Sequence, residues 1–176
     1  MSGVPQERLT KDGPSSKDGQ RLELEKQSPK AALAMKLFRD GFNCSQSVLG
    51  AFCADFGLER EPAMRLASSF GGGIGRMREV CGAVSGMCMA AGLAEGYADP
   101  HAQTEKAEHY ARIQKLAAAF RELNGSIVCR ELLGLGEGGS DPVPAARTDA
   151  YYRKRPCEIL VGQAALILES HLAGTR

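Results

Sequence analysis

Residues 71–93 read Gly71-Gly72-Gly73-Ile74-Gly75-Arg76-Met77-Arg78-Glu79-Val80-Cys81-Gly82-Ala83-Val84-Ser85-Gly86-Met87-Cys88-Met89-Ala90-Ala91-Gly92-Leu93, and the rest of the chain is organised around them. A glycine-rich loop runs into a helix made almost wholly of small and apolar residues. Gly82, Gly86 and Ala90 recur at a spacing of four, so one stripe of that helix carries almost no side chain. Glycine inside a helix costs about 1 kcal/mol against alanine. A stripe of it implies that another body, a second helix or a cofactor, comes close to the backbone, which makes Gly82 and Gly86 candidate cofactor-contact positions. Cys81 heads the stripe and marks the segment as the centre of a cysteine-based site.

A chain of 176 residues suits one domain with a substantial core. Apolar content is 43% and the formal net charge is +1, so electrostatics suggests neither nucleic-acid binding nor attraction to a membrane surface. The absence of tryptophan, with alanine and glycine abundant, favours closely packed helices over a β-sandwich. The N-terminal residues lack the apolar run of a signal peptide, and no window approaches the ~18 apolar residues of a membrane span. A soluble, cytoplasmic protein is the expectation. Six cysteines in that setting read as reduced thiols, metal ligands or reactive groups rather than structural disulfides.

Residues 1–27 are polar, mix acids with bases and can bury no face, so a disordered tail is expected there, followed by a helical domain over residues 28–176. Ser28-Pro29 starts a helix that Gly41 stops. Asn43 and Gln46 form a capping-box pattern at the head of a second helix, which carries Val48, Leu49, Phe52 and Phe56 and ends at Gly57. Glu61-Pro62 opens a short third helix leading into the glycine loop. The small-residue helix spans about 79–96. Asp99-Pro100 precedes the longest helix, to about Leu123, with Ile113, Leu116, Phe120 and Leu123 on one face. Ser126 caps a short helix over 127–133, residues 134–147 form a long surface loop, and Arg155-Pro156 begins the last helix. No stretch alternates with period two. The expectation is an all-α bundle of six to seven helices.

On that map Cys44, Cys81, Cys129 and Cys157 each fall in the first turn of a different helix, whereas Cys53 and Cys88 fall in helix middles and read as core. A helix N-terminus carries partial positive charge and unpaired N–H groups, which favour thiolate, the form that attacks and binds metal. If the four converge, they could hold zinc or a [2Fe–2S] cluster, or two of them could cycle between dithiol and disulfide. No Cys-x-x-Cys pair is present. Arg76, Arg78 and Arg130 lie close to these cysteines in sequence and could stabilise a thiolate or an anionic substrate. The glycine loop matches neither dinucleotide-binding nor P-loop spacing.

The succession Asn43-Cys44-Ser45-Gln46-Ser47-Val48, Ser69-Phe70-Gly71-Gly72-Gly73-Ile74-Gly75-Arg76, Cys81-Gly82-Ala83-Val84-Ser85-Gly86, Cys129-Arg130-Glu131-Leu132-Leu133-Gly134 and Cys157 resembles a prokaryotic family abbreviated C…GCAxxG…C…C, described as redox-active largely from its cysteines. The family shorthand puts glycine before the second cysteine; here Val80 precedes Cys81 and Gly82 follows it. The resemblance implies a small helical protein whose family cysteines are Cys44, Cys81, Cys129 and Cys157. Some members carry selenocysteine, and the family is similar to part of split-Soret cytochromes c, which bind an iron–sulfur cluster. Without Cys-x-x-Cys-His, covalent haem attachment is not supported. Three readings follow: thiol–disulfide or electron-transfer chemistry at a four-cysteine pocket, a [2Fe–2S] electron carrier using the same residues, and a structural zinc site in a partner-binding protein. An unknown redox partner or small substrate is implied, with homo-oligomerisation open.

Overall fold

A computed structural model describes residues 16–136 and 141–175. They form an all-α protein with helices α1 (Lys17–Gln27), α2 (Pro29–Arg39), α3 (Cys44–Phe52), α4 (Arg60–Ser68), α5 (Gly82–Glu95), α6 (Gln103–Asn124), α7 (Cys129–Leu132), α8 (Asp149–Lys154) and α9 (Cys157–Gly174), plus a 3₁₀ turn at Cys53–Phe56. Only an isolated antiparallel bridge, Val80 to Val128, departs from helical pairing among the described residues. α9 is apolar on every side and runs through the centre, packing on α1, α2, α3, α5 and α6. Among the described residues no helix is long and apolar enough to cross a membrane.

The caps are where the residue types require them. Ser28 Oγ accepts from the Ala31 N–H ahead of Pro29, and Asn43 and Gln46 bond each other's backbone N–H groups reciprocally. Asn43 also donates to the Ser68 carbonyl, tying the head of α3 to the end of α4. The glycine stripe of α5 receives α3. A Cβ on Gly82 would lie 2.9 Å from the Phe70 carbonyl oxygen and 3.1 Å from Cys44 Cβ, and one on Gly86 would lie 2.6 Å from the Ser45 carbonyl oxygen. The body that approaches the stripe is therefore a helix. Backbone and side-chain atoms of α3 fill the groove at Gly86, whereas Gly82, closed in by the Phe70 carbonyl and the head of α3, also lines a cavity.

Two expectations change. Residues 17–27 form α1 rather than continuing a disordered tail, and residues 1–15 of that expected tail lie outside the described residues. Leu24 buries against α9, where a Cβ on Gly162 would come 3.1 Å from its Cδ1. Between the expected loop of 134–147 and the last helix the chain forms α8, capped by Thr148 accepting from the Tyr151 N–H.

Candidate functional site

The glycine loop winds left-handed. Gly72, Gly73, Ile74, Gly75 and Arg76 all have φ between 55° and 71°, and Arg78 follows at 66°. Glycine accepts this conformation freely, but Ile74, Arg76 and Arg78 hold it at about 1–2 kcal/mol each. Long-reach backbone bonds close the coil: Gly75 N–H to the Ser69 carbonyl, Arg76 to Gly71, Arg78 to Gly72 and Glu79 to Gly73. The strand-like exit of the loop then pairs with the segment before α7. Cys81 N–H donates to the Ile127 carbonyl, Cys129 N–H to Glu79 and Arg130 N–H to Arg78. This pairing sets Cys81 and Cys129 on neighbouring backbones, while Gly73, with no Cβ, leaves space that Cys129 Cβ would contest at 2.6 Å.

The other two cysteines arrive on helices. Cys44 is the first residue of α3, carried beside Cys81 by the glycine stripe, and Cys157 is the first residue of α9. Cys44, Cys81, Cys129 and Cys157 line one cavity of about 290 Å³, together with the glycine loop, Arg76, Arg78, Arg147, Arg155 and Tyr151. All six cysteines are free thiols, and Cys53 and Cys88 stand outside the cavity lining. Arg130 is also outside the lining, paired with Glu79 at 3.5 Å and donating to the Met77 carbonyl.

Helix position alone does not decide thiol acidity here. A hydrogen bond to Cys157, reinforced by burial, pushes the Cys44 thiol well up. Burial pushes Cys81 up to about 12 despite the Ala83 and Val84 N–H groups that face it. Burial raises Cys129 too, although Arg78 approaches its Sγ at 4.0 Å and pulls the other way. Cys157 alone moves down, to about 7: the Cys44 hydrogen bond stabilises its thiolate, and Arg155, Arg147 and Arg78 add positive potential against the cost of burial. The expectation that all four helix starts lower their thiols is corrected to one, because the interaction with Cys157 holds Cys44 protonated and desolvation dominates at Cys81 and Cys129. Alkylation of Cys157 by iodoacetamide should follow a midpoint near pH 7, falling about tenfold per unit below it. A midpoint near 9 would show that the arginines and Cys44 exert no such influence.

Arg147 and Arg155 carry no signal in the sequence, one lying in the loop and the other ahead of α9. Arg147 donates to the Phe38 and Phe42 carbonyls and stacks 4.4 Å over the Phe38 ring. Arg155 lies 4.9 Å over the Tyr151 ring. Among the described residues, no three His, Cys, Asp or Glu side chains are grouped closely enough to hold a metal ion as they stand.

Four helix-start cysteines around one cavity define an all-α protein of a four-cysteine class. The model of the C_GCAxxG_C_C family, described as "Putative redox-active protein", matches residues 42–171, and the chain belongs to that family. No curated protein and no solved structure matches the chain.

Proposed function

We propose that this protein is a thiol oxidoreductase acting on a small substrate, with Cys157 as the attacking thiolate and Cys44 as the resolving thiol. The observation that carries the reading is the asymmetric pair: Cys44 and Cys157, the first residues of α3 and α9, line the same cavity, and their interaction raises the first thiol and lowers the second. A nucleophile ionised near neutrality beside a thiol that keeps its proton is suited to sequential exchange. With a disulfide substrate, Cys157 S⁻ attacks one sulfur, the substrate S–S bond breaks, and the first thiolate leaves and takes up a proton. Cys44, giving up its proton, then attacks Cys157 Sγ. The Cys44–Cys157 bond forms, the second substrate thiol departs, and two electrons have passed from protein to substrate. An external dithiol reductant returns the pair to its starting state.

Anaerobic purification, metal analysis and a visible spectrum, followed by oxidation with a small disulfide and peptide mapping, test the reading. The expected result is colourless, metal-free protein with a reversible Cys44–Cys157 disulfide. Brown protein with iron and sulfide, lost in Cys129→Ser, would replace the reading with a [2Fe–2S] carrier. Stoichiometric zinc without colour would replace it with a structural metal site.

A further inference from the structure

The charge around the thiols is one-sided. Arg76, Arg147 and Arg155 line the cavity, and none is paired with a carboxylate among the described residues. Arg76 spends its Nε on the Asp141 main-chain carbonyl, and Arg147 spends a donor of each terminal nitrogen on main-chain carbonyls. Among the described residues Arg155 stacks on Tyr151, and its half-buried guanidinium makes no side-chain hydrogen bond. A buried fourth guanidinium, Arg78, adds to the same potential. Guanidinium groups match planar oxyanions with two parallel donors. Arg76, Arg147 and Arg155 bring three positive charges to a partly enclosed space in which the Cys157 thiolate supplies one negative charge, so an anionic group that enters meets a favourable potential.

We propose that the cavity selects a small substrate bearing an oxyanion (carboxylate, sulfonate or phosphate), which Arg155 holds with help from Arg76 and Arg147 while its reacting atom meets Cys157 Sγ. This deepens the thiol reading and rests on it. The oxyanion balances positive charge that a single thiolate leaves over, and the cavity, at about 290 Å³, takes a small molecule rather than a protein loop. Arg147 fixes the 141–147 segment to the end of α2, so its contribution is tied to the fold, whereas Arg155 and Arg76 can be changed with less structural consequence.

Two alkylating reagents of similar size separate charge from reactivity: iodoacetate, which carries a carboxylate, and neutral iodoacetamide. The readout is the ratio of their rates at the peptide carrying Cys157, in which the fraction of thiolate cancels. In the full-length protein the ratio should exceed that of a free cysteine derivative by about tenfold, as expected for an anion beside guanidinium groups in a partly desolvated site. Arg155→Gln should remove most of the excess, Arg155→Lys should retain much of it, and Arg76→Gln gives an independent reduction if Arg155 variants fold poorly. A ratio equal to that of the free thiol, with Cys157 still reacting fast, would overturn the oxyanion proposal and leave the dithiol reading intact. If Cys157 reacts no faster than Cys81 with either reagent, the thiol reading falls and takes this proposal with it.

Discussion

Gly86→Ala should lower the midpoint of thermal unfolding by up to roughly 8 °C, measured by calorimetry, because a chain of this size shifts about 2–4 °C per kcal/mol. The added methyl would meet the Ser45 carbonyl oxygen at 2.6 Å, Val48 Cβ at 3.0 Å and Ser45 Cα at 3.2 Å. Backbone and Cβ atoms cannot rotate aside, so α3 has to move away from α5, and overpacking of this kind costs about 1–3 kcal/mol or more. The helix-propensity gain of about 1 kcal/mol offsets only part of it. A methyl on Gly92, in the same helix, would meet nothing within 4 Å. Gly92→Ala should therefore stabilise by up to about 1 kcal/mol. If both substitutions shift the midpoint in the same direction, close approach of α3 is not the reason for the stripe.

The second large effect concerns exchange. Wild-type protein treated with the aromatic disulfide dithionitrobenzoate should release about two equivalents of thionitrobenzoate in its fast phase, one from attack by Cys157 and one from resolution by Cys44. Cys44→Ser should release about one and retain the other as a stable mixed disulfide at Cys157. Cys157→Ser should slow the fast phase on the order of a hundredfold, because burial still opposes ionisation of the remaining cavity thiols. Fast release of both equivalents from Cys157→Ser would transfer the nucleophile's role elsewhere.

Local chemistry made much of this architecture readable. Ser28-Pro29 and Asn43 with Gln46 cap helices wherever they occur, and Gly57 ends its segment in the left-handed conformation that glycine tolerates. Four cysteines at helix starts could be counted without knowing how the helices pack. What could not be read depends on distant partners. α1 has a polar sequence, and its one buried residue, Leu24, finds its place only on α9, at Gly162. Thiol acidity reflects a contest between helix field and desolvation, and burial of Cys81 and Cys129 is a property of the packed molecule. Arg147 and Arg155 reach the cavity through a long loop and a short helix, neither of which carries a periodic pattern to place it.

The thiols come from positions 44, 81, 129 and 157, so the acidity of Cys157 exists only once distant parts of the chain have assembled. Folding and proton binding are thereby linked. In the unfolded chain each thiol ionises near 9; in the fold Cys157 does so near 7. Between those values the folded protein has released a proton that the unfolded chain retains. The stability contributed by Cys157 thus grows as pH rises through this window and vanishes as pH falls through about 7. Cys44, Cys81 and Cys129 act in the opposite sense: their contribution is complete below 9 and is lost as pH climbs through their raised folded values, for Cys81 about 12. The thiol cavity therefore supports the fold best under mildly alkaline conditions, and the ionisation that arms the nucleophile also strengthens the structure that creates it.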